Sequence, residues 1–319
     1  MRRSIFSLLS VVALCAFIFI PAANAQDATP VGGFDTLGLP TLDVSVSMAG
    51  YEGIPATLEA GRYLVTLTAA ADQEEGGNVA FARPPDGTSV DEFLAVFTDE
   101  PAPEASPMAG MEASPAAEES GSASSIILQT TFAGGVIAYP GQPAQVVLDL
   151  GPGTWIAWGD DPNWPPGPMT FEVTGELPTD LPAPESSATI TLAEYNITVS
   201  EGTLSAGPHV IRIDNVGAQP HFIGWFTLPA GTTADQIKTA LDEELAAGMT
   251  GTPVAYSDFN PDEDAIPVTV TDTQSRGVSN WIVVDIPPGT NGLACFFPDI
   301  SDGLPHIYHG MLTVVEVPS

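Results

Sequence analysis

An all-β protein in two tandem sandwiches is the fold this sequence predicts, on three observations: its composition, its short β-branched runs and a block pattern that occurs twice. Of 319 residues, 44% are hydrophobic and 15% charged, with 31 Gly and 31 Pro, which is the profile of a folded chain with many turns. At roughly 100–150 residues per domain, that length predicts two cores. The first block is Leu58-Glu59-Ala60-Gly61 running into Tyr63-Leu64-Val65-Thr66-Leu67, matched by Leu204-Ser205-Ala206-Gly207 running into His209-Val210-Ile211-Arg212-Ile213. Next, Pro85-Asp86-Gly87-Thr88 with Asp91 and Phe93 is matched by Pro229-Ala230-Gly231-Thr232 with Asp235 and Ile237. Each predicts a short helix capped by Ser or Thr with acids in its first turn. The third pair is Asp149-Leu150-Gly151-Pro152-Gly153-Thr154 and Asp285-Ile286-Pro287-Pro288-Gly289-Thr290. Three matches in one order imply duplication. Between them lie strand-like runs at 146–150, 169–173, 190–199, 210–213, 222–226, 281–286 and 312–317. They are short, β-branched and broken by Gly or Pro, as suits antiparallel Greek-key sandwiches, one per repeat.

The amino terminus reads as an address. Arg2 and Arg3 precede an apolar run over 5–20, and Ala23-Asn24-Ala25 supplies small residues before a cut, so residues 1–25 are expected to be an export signal. The apolar run is short for a membrane span. No stable span is expected after cleavage, and the destination is a periplasm or the medium. Cleavage removes Cys15, leaving Cys295 as the one mature cysteine with no intrachain disulfide. A lone thiol outside the cell is open to oxidation unless it is buried or held by metal. The mature chain divides into a first repeat over 26–177, a stiff Pro-rich linker over 178–187 and a second repeat over 188–319. An Ala-, Pro-, Ser- and Glu-rich insertion at about 99–125 interrupts the first repeat and is expected to be disordered. Its Met108 and Met111 have a spacing that soft Cu(I) can use, but two methionines in a loop are read here as filler. Forty acidic against seven basic residues give a net charge of −33, which repels phosphate backbones and excludes a nucleic-acid partner. A basic partner is favoured.

All four histidines, His209, His221, His306 and His309, and the mature cysteine fall in the second repeat. Cys295, His306 and Met311 follow one another on a single loop, and His221 stands upstream behind Asn215, Gly217 and Pro220. This pattern, a histidine and then Cys-x10-His-x4-Met, resembles the cupredoxin, or type 1 blue-copper, family. The resemblance covers about residues 188–319. It implies two tandem cupredoxin-like Greek-key sandwiches, each with one short helix, the first a degenerate copy. It also implies one type 1 copper ion held by His221, Cys295, His306 and Met311. The expected function is one-electron carriage by Cu(II)/Cu(I) cycling with a redox protein partner that docks on an apolar patch around His306. A thiolate, two imidazoles and a weak axial thioether do form a trigonal site that serves both copper oxidation states. Phe222, Phe296 and Phe297 would keep water from it.

The gap from Cys295 to His306 is longer than in most small blue-copper proteins. A tight turn at Asp302-Gly303 would fold the excess away; His309 in place of His306 would leave one residue before Met311. Aligning the repeats sets Gly77 opposite His221, Trp158 or Gly159 opposite Cys295, Trp164 opposite His306 and Met169 opposite Met311, so the first repeat is expected to be free of copper. His209 replaces Tyr63 at what reads as a surface aromatic position. The His-x-His pairs of multicopper oxidases do not occur, Cys295 has no histidine beside it, and no hydrolase or phosphate-loop motif is present. No enzymatic activity is therefore expected. Two other readings stay open: a protein that stores or delivers copper, and a metal-free binding module.

Overall fold

The computed structural model describes residue 34 and residues 37–74, 76–97, 123–159 and 167–319. The expected export signal with Cys15, the insertion through residue 122 with Met108 and Met111, and Trp164 lie outside the described residues. Residues 123–125, expected in the insertion, open a helix instead.

The first unit contains β1 (Thr41–Ser47), β2 (Gly50–Glu52), β3 (Thr57–Glu59), β4 (Gly61–Ala69), β5 (Gly77–Arg83), α1 (Val90–Ala95), α2 (Ala123–Gln129), β6 (Thr131–Ala138), β7 (Ala144–Leu150), β8 (Gly153–Trp158) and β9 (Met169–Thr174). The second contains β10 (Ala188–Ala193), β11 (Asn196–Gly202), β12 (Gly207–Asn215), β13 (Gly224–Thr227), α3 (Ala234–Thr250), α4 (Pro261–Asp264), β14 (Ile266–Val270), β15 (Ser279–Ile286), β16 (Gly289–Ala294), a 3-10 turn (His306–His309) and β17 (Leu312–Val317).

The duplication shows in the pairing. In the second unit β11-β10-β12-β15 lie side by side, facing β14-β13-β16-β17; in the first unit β2-β1-β4-β7 face β6-β5-β8-β9, with β3 added beside β9. The first and third strands of each set of four, β1 with β4 and β10 with β12, are parallel. The other equivalent neighbours are antiparallel. Side chains alternate as the strand period of two requires: Leu42, Val44 and Val46 of β1 are buried and Thr41 and Asp43 are exposed. Capping boxes recur at equivalent places, Ser89 with Glu92 and Thr233 with Gln236.

Three features differ from expectation. Among the described residues each unit carries two α-helices, and α3 runs for 17 residues. Ile237, Ala240 and Leu241 form an apolar stripe buried with Phe226, Phe259 and Ile307, which carries α3 on until Gly251, left-handed at φ 67°, ends it. The run 190–199 is not one strand but a hairpin that turns at Glu194-Tyr195. Tyr195, at φ 58°, is the one non-glycine residue with positive φ among those described. Finally, the two sandwiches share a sheet. β7 pairs antiparallel with β15, Trp281 level with Val147 and Ile282 with Val146, so one eight-stranded sheet and one apolar core run through both units. These two strands hold the same place in the two repeats, which makes the seam self-matching, like a two-fold dimer contact.

Side chains reinforce the seam. Ser275 Oγ donates to Thr130 O (2.8 Å) and accepts from Phe132 N–H (2.9 Å), and Asn280 Nδ2 donates to Ala133 O (2.8 Å). Beside them Gly134 sits at φ 93°, and a Cβ there would lie 1.9 Å from Asn280 Oδ1, so only glycine fits. No helix among the described residues is long and apolar enough to cross a membrane.

Candidate metal centre

Three chain segments converge at one end of the second sandwich. β12 ends at buried Asn215, whose side chain donates to the carbonyls of Gln219 (2.9 Å) and Gln274 (2.7 Å) and accepts from Gly217 N–H (2.8 Å). This curls residues 215–221 around one amide and delivers His221 inward. The His221 backbone exchanges two hydrogen bonds with Gln274 (3.0 and 2.8 Å), and Gln274 bridges on to Ala133 of β6. The first unit thus backs the segment that holds this histidine. β16 brings Cys295 in from a second direction. Beyond it, His306 N–H bonds Phe297 O (2.9 Å) and Asp299 N–H bonds Leu304 O (2.8 Å), pinching the intervening residues into a closed loop with Gly303 at φ 79°. The Asp302-Gly303 turn therefore absorbs the long gap, and His306 returns to Cys295. Met311 is tied to both, its N–H to His306 O (3.0 Å) and its carbonyl to Cys295 N–H (3.1 Å).

The donors meet closely. His221 Nδ1 lies 3.0 Å from His306 Nδ1, and Cys295 Sγ lies 3.8 Å and 3.6 Å from them. All three residues are fully buried, as is Met311. The point equidistant from corners so spaced is about 2 Å from each, close to metal–imidazole and metal–thiolate bond lengths of roughly 2.0–2.3 Å. His309 stands apart, bonded to Asp302 (3.2 Å) and tilted against the Tyr195 ring (4.9 Å); it is His306 that meets the thiol. His209 bonds Ser205 (3.0 Å). The His306 ring is fully buried, flanked by Tyr195 (5.8 Å between centroids) and Phe297 (5.9 Å).

A carboxylate stands at the far edge of each imidazole, and the sequence reading passed over both. Glu194 Oε1 is 3.7 Å from His221 Nε2 and accepts from the amides of Ala218 and Gln219. Asp299 Oδ2 is 3.6 Å from His306 Nε2 and accepts from Tyr195 Oη–H (2.7 Å) and Gln219 Nε2–H (2.7 Å); its Oδ1 accepts from Ser301 N–H (2.8 Å). Burial alone would raise both carboxyls, but these hydrogen bonds outweigh it and hold both below the usual range. The one available signal was an acid, Asp299, inside the Cys295–His306 loop; Glu194 had none. Asp299, Asp302 and His309 also lie within 4.8 Å of one another, but Asp299 is already committed to the support of His306.

Burial pushes His221 and His306 down to about 4, so both rings are neutral at neutral pH. A carboxylate at each Nε2 favours a proton there. Both Nδ1 lone pairs then face each other across 3.0 Å beside a sulfur, a repulsive arrangement that a cation between them relieves. Burial pushes the Cys295 thiol up to about 12, against backbone hydrogen bonds from Phe222 and Phe297 that lower it. One consequence concerns the metal-free protein. Between pH 6.5 and about 4 the unfolded chain binds protons on these imidazoles that the folded chain does not. Stability present above pH 6.5 is therefore lost as pH falls toward 4. Urea midpoints measured across that window are expected to decline steadily, with about two protons taken up on unfolding at its centre.

The first unit lacks these donors. With Gly77 level with His221, Ala80 pairs Trp158 as Gly224 pairs Ala294, which puts Gly159 level with Cys295. Val46 crowds Gly77, its Cγ1 2.5 Å from where a Cβ would stand. The expected match of Met169 with Met311 fails, because Met169 pairs Ala157 as Thr313 pairs Leu293.

A two-sheet sandwich that carries a buried His–Cys–His group at one end, in the chain order His221, Cys295, His306, is cupredoxin-like. No family model and no curated protein matches the chain. Among solved structures, it is similar to auracyanin from the photosynthetic bacterium Roseiflexus castenholzii, at 20% identity over 41% of this chain and 95% of that one (TM-score 0.27). It is similar to auracyanin A, a blue copper protein of Chloroflexus aurantiacus, at 22% identity over 40% and 98% (TM-score 0.24). A copper nitrite reductase from Nitrosomonas europaea is matched at 11% identity over 88% and 94% (TM-score 0.21). Scores this low carry no argument about function.

Proposed function

We propose that the protein is an exported one-electron carrier whose single copper ion is held by His221, Cys295, His306 and Met311. The observation that carries this reading is the meeting of two Nδ1 atoms and one thiol sulfur, all buried, at metal-binding separation. A bound copper ion would supply Cu(II)/Cu(I) exchange in a site that serves both states. The chain supplies the rest. Asn215 and Gln274 lock the His221 segment, the pinched loop locks His306, and the surrounding apolar side chains keep water out. All four histidines are accounted for, two at the centre and two bonded to Ser205 and Asp302, so the chain has no imidazole cluster left for a separate catalytic copper centre. This supports a carrier over an oxidase. Full burial of the donors favours retention over delivery. The surface above the centre presents Tyr195, Glu194, Asp302 and His309, acids around an aromatic ring, which suits a basic redox partner.

Titration with Cu(II) tests this. An intense visible charge-transfer band at one ion per chain, bleached by a one-electron reductant, is expected. No copper-dependent band leaves the metal-free module, and rapid loss to a chelator leaves delivery. Loading is expected to expel one proton per ion near neutral pH, because the thiol starts protonated and the imidazoles neutral. A pH-stat reads this directly, and affinity should rise about tenfold per pH unit. In Met311→Leu the copper is expected to stay while the potential rises; an unchanged potential removes Met311 from the ligand set.

A further inference from the structure

Far fewer cations than anions are present, yet they gather. Of seven basic residues, five lie in the described region. Three of these, Arg62, Arg83 and Arg212, line one cavity of about 400 Å³, with Trp155 and Trp281 buried behind them. The cavity straddles the seam: β4, β5 and β8 of the first unit and β12 and β15 of the second contribute to its wall. We propose that it binds a small organic carboxylate.

The three arginines are not equivalent. Arg62 is committed to structure, paired through two nitrogens with Asp149 (2.7 and 2.8 Å), bonded to the carbonyls of Leu181 and Pro182, and lying over the Trp281 ring at 4.5 Å. It anchors the linker and forms a wall. Arg212 pairs with Asp214 (2.8 Å) and Ser279 (3.3 Å), its guanidinium 5.5 Å from the same ring. Arg83 meets only neutral oxygens among the described residues, Pro152 O (2.7 Å) and Thr131 Oγ1 (3.3 Å). Its charge is uncompensated there. Asp149 is the one acid in the lining, so the wall is net positive in a chain of net charge −33. A guanidinium is a planar fork that matches a carboxylate. The volume falls in the range of about 300–1,000 Å³ found for small-molecule pockets. Because the protein's overall field repels anions, affinity must come from these local contacts.

The test uses the mature full-length chain with phthalate as probe, read by tryptophan fluorescence and by melting temperature. Saturable quenching and a rise in melting temperature are expected with phthalate, with phthalamide at least about tenfold weaker because it lacks the charge. Arg83→Gln and, separately, Arg212→Gln should each weaken phthalate about tenfold or more and leave far-ultraviolet circular dichroism unchanged. No saturable response up to about ten millimolar, far weaker than pocket binding of this kind, overturns the proposal. So does equal binding of phthalamide, or an unchanged affinity in both folded variants.

Discussion

Cys295→Ser is expected to remove the visible copper band and to weaken Cu(I) binding by about a thousandfold or more, because the one soft anionic donor is lost from a site otherwise made of neutral nitrogens and a weak thioether. The fold should survive the change. Serine is slightly smaller, and its hydroxyl finds partners already in place: the backbone groups of Phe222 and Phe297 that bond the thiol, and the Nδ1 atoms of His221 and His306. A buried polar group so satisfied costs little. The expected result is native circular dichroism together with a Cu(I) affinity, measured by competition against a chromophoric chelator, far below that of the parent. Parent-like affinity and colour in the variant would remove the thiol from the centre and with it the carrier function.

The parts legible in the sequence are those whose signal is local. Cys295, His306 and Met311 follow one another on one loop, so their rarity and order point to a centre before any coordinates exist. The repeats are legible because glycines at positive φ, Gly153 and Gly289 among them, mark equivalent turns. What escapes is decided by distant segments. The turn at Glu194-Tyr195 carries no Gly or Pro, so the run around it reads as one strand; yet that tip brings a carboxylate to His221 and an aromatic ring to His306, more than a hundred residues onward. Burial of His306 is completed by that cover, which no residue near His306 in the sequence signals. The shared sheet escapes for a similar reason: β7 and β15 both read as apolar runs whether an edge is covered by solvent or by its own repeat.

Asp299→Asn is the sharpest probe of that distant support. The carboxylate serves donors at both oxygens, Tyr195 and Gln219 at Oδ2 and Ser301 at Oδ1. An asparagine keeps the shape but turns one oxygen into an NH2 group, so in either orientation one set of donors meets another donor. Negative charge also disappears from the edge of His306, which lies 3.6 Å away. Removal of such a partner to a metal-binding histidine is expected to cost about 10–100-fold in metal affinity. The more highly charged Cu(II) state loses more stabilisation than Cu(I), so the potential should rise. A merely structural role would not predict the third effect. Tyr195 is held at about 12, first by its hydrogen bond to Asp299 and then by burial and nearby carboxylates; losing that acceptor should return its phenol toward 10. Difference spectra of phenolate formation read that change. Asp302→Asn, which faces the outlying His309, should leave affinity and potential near those of the parent, so equal effects from the two variants would show that general acidity, and not the buried carboxylate at His306 Nε2, tunes the centre.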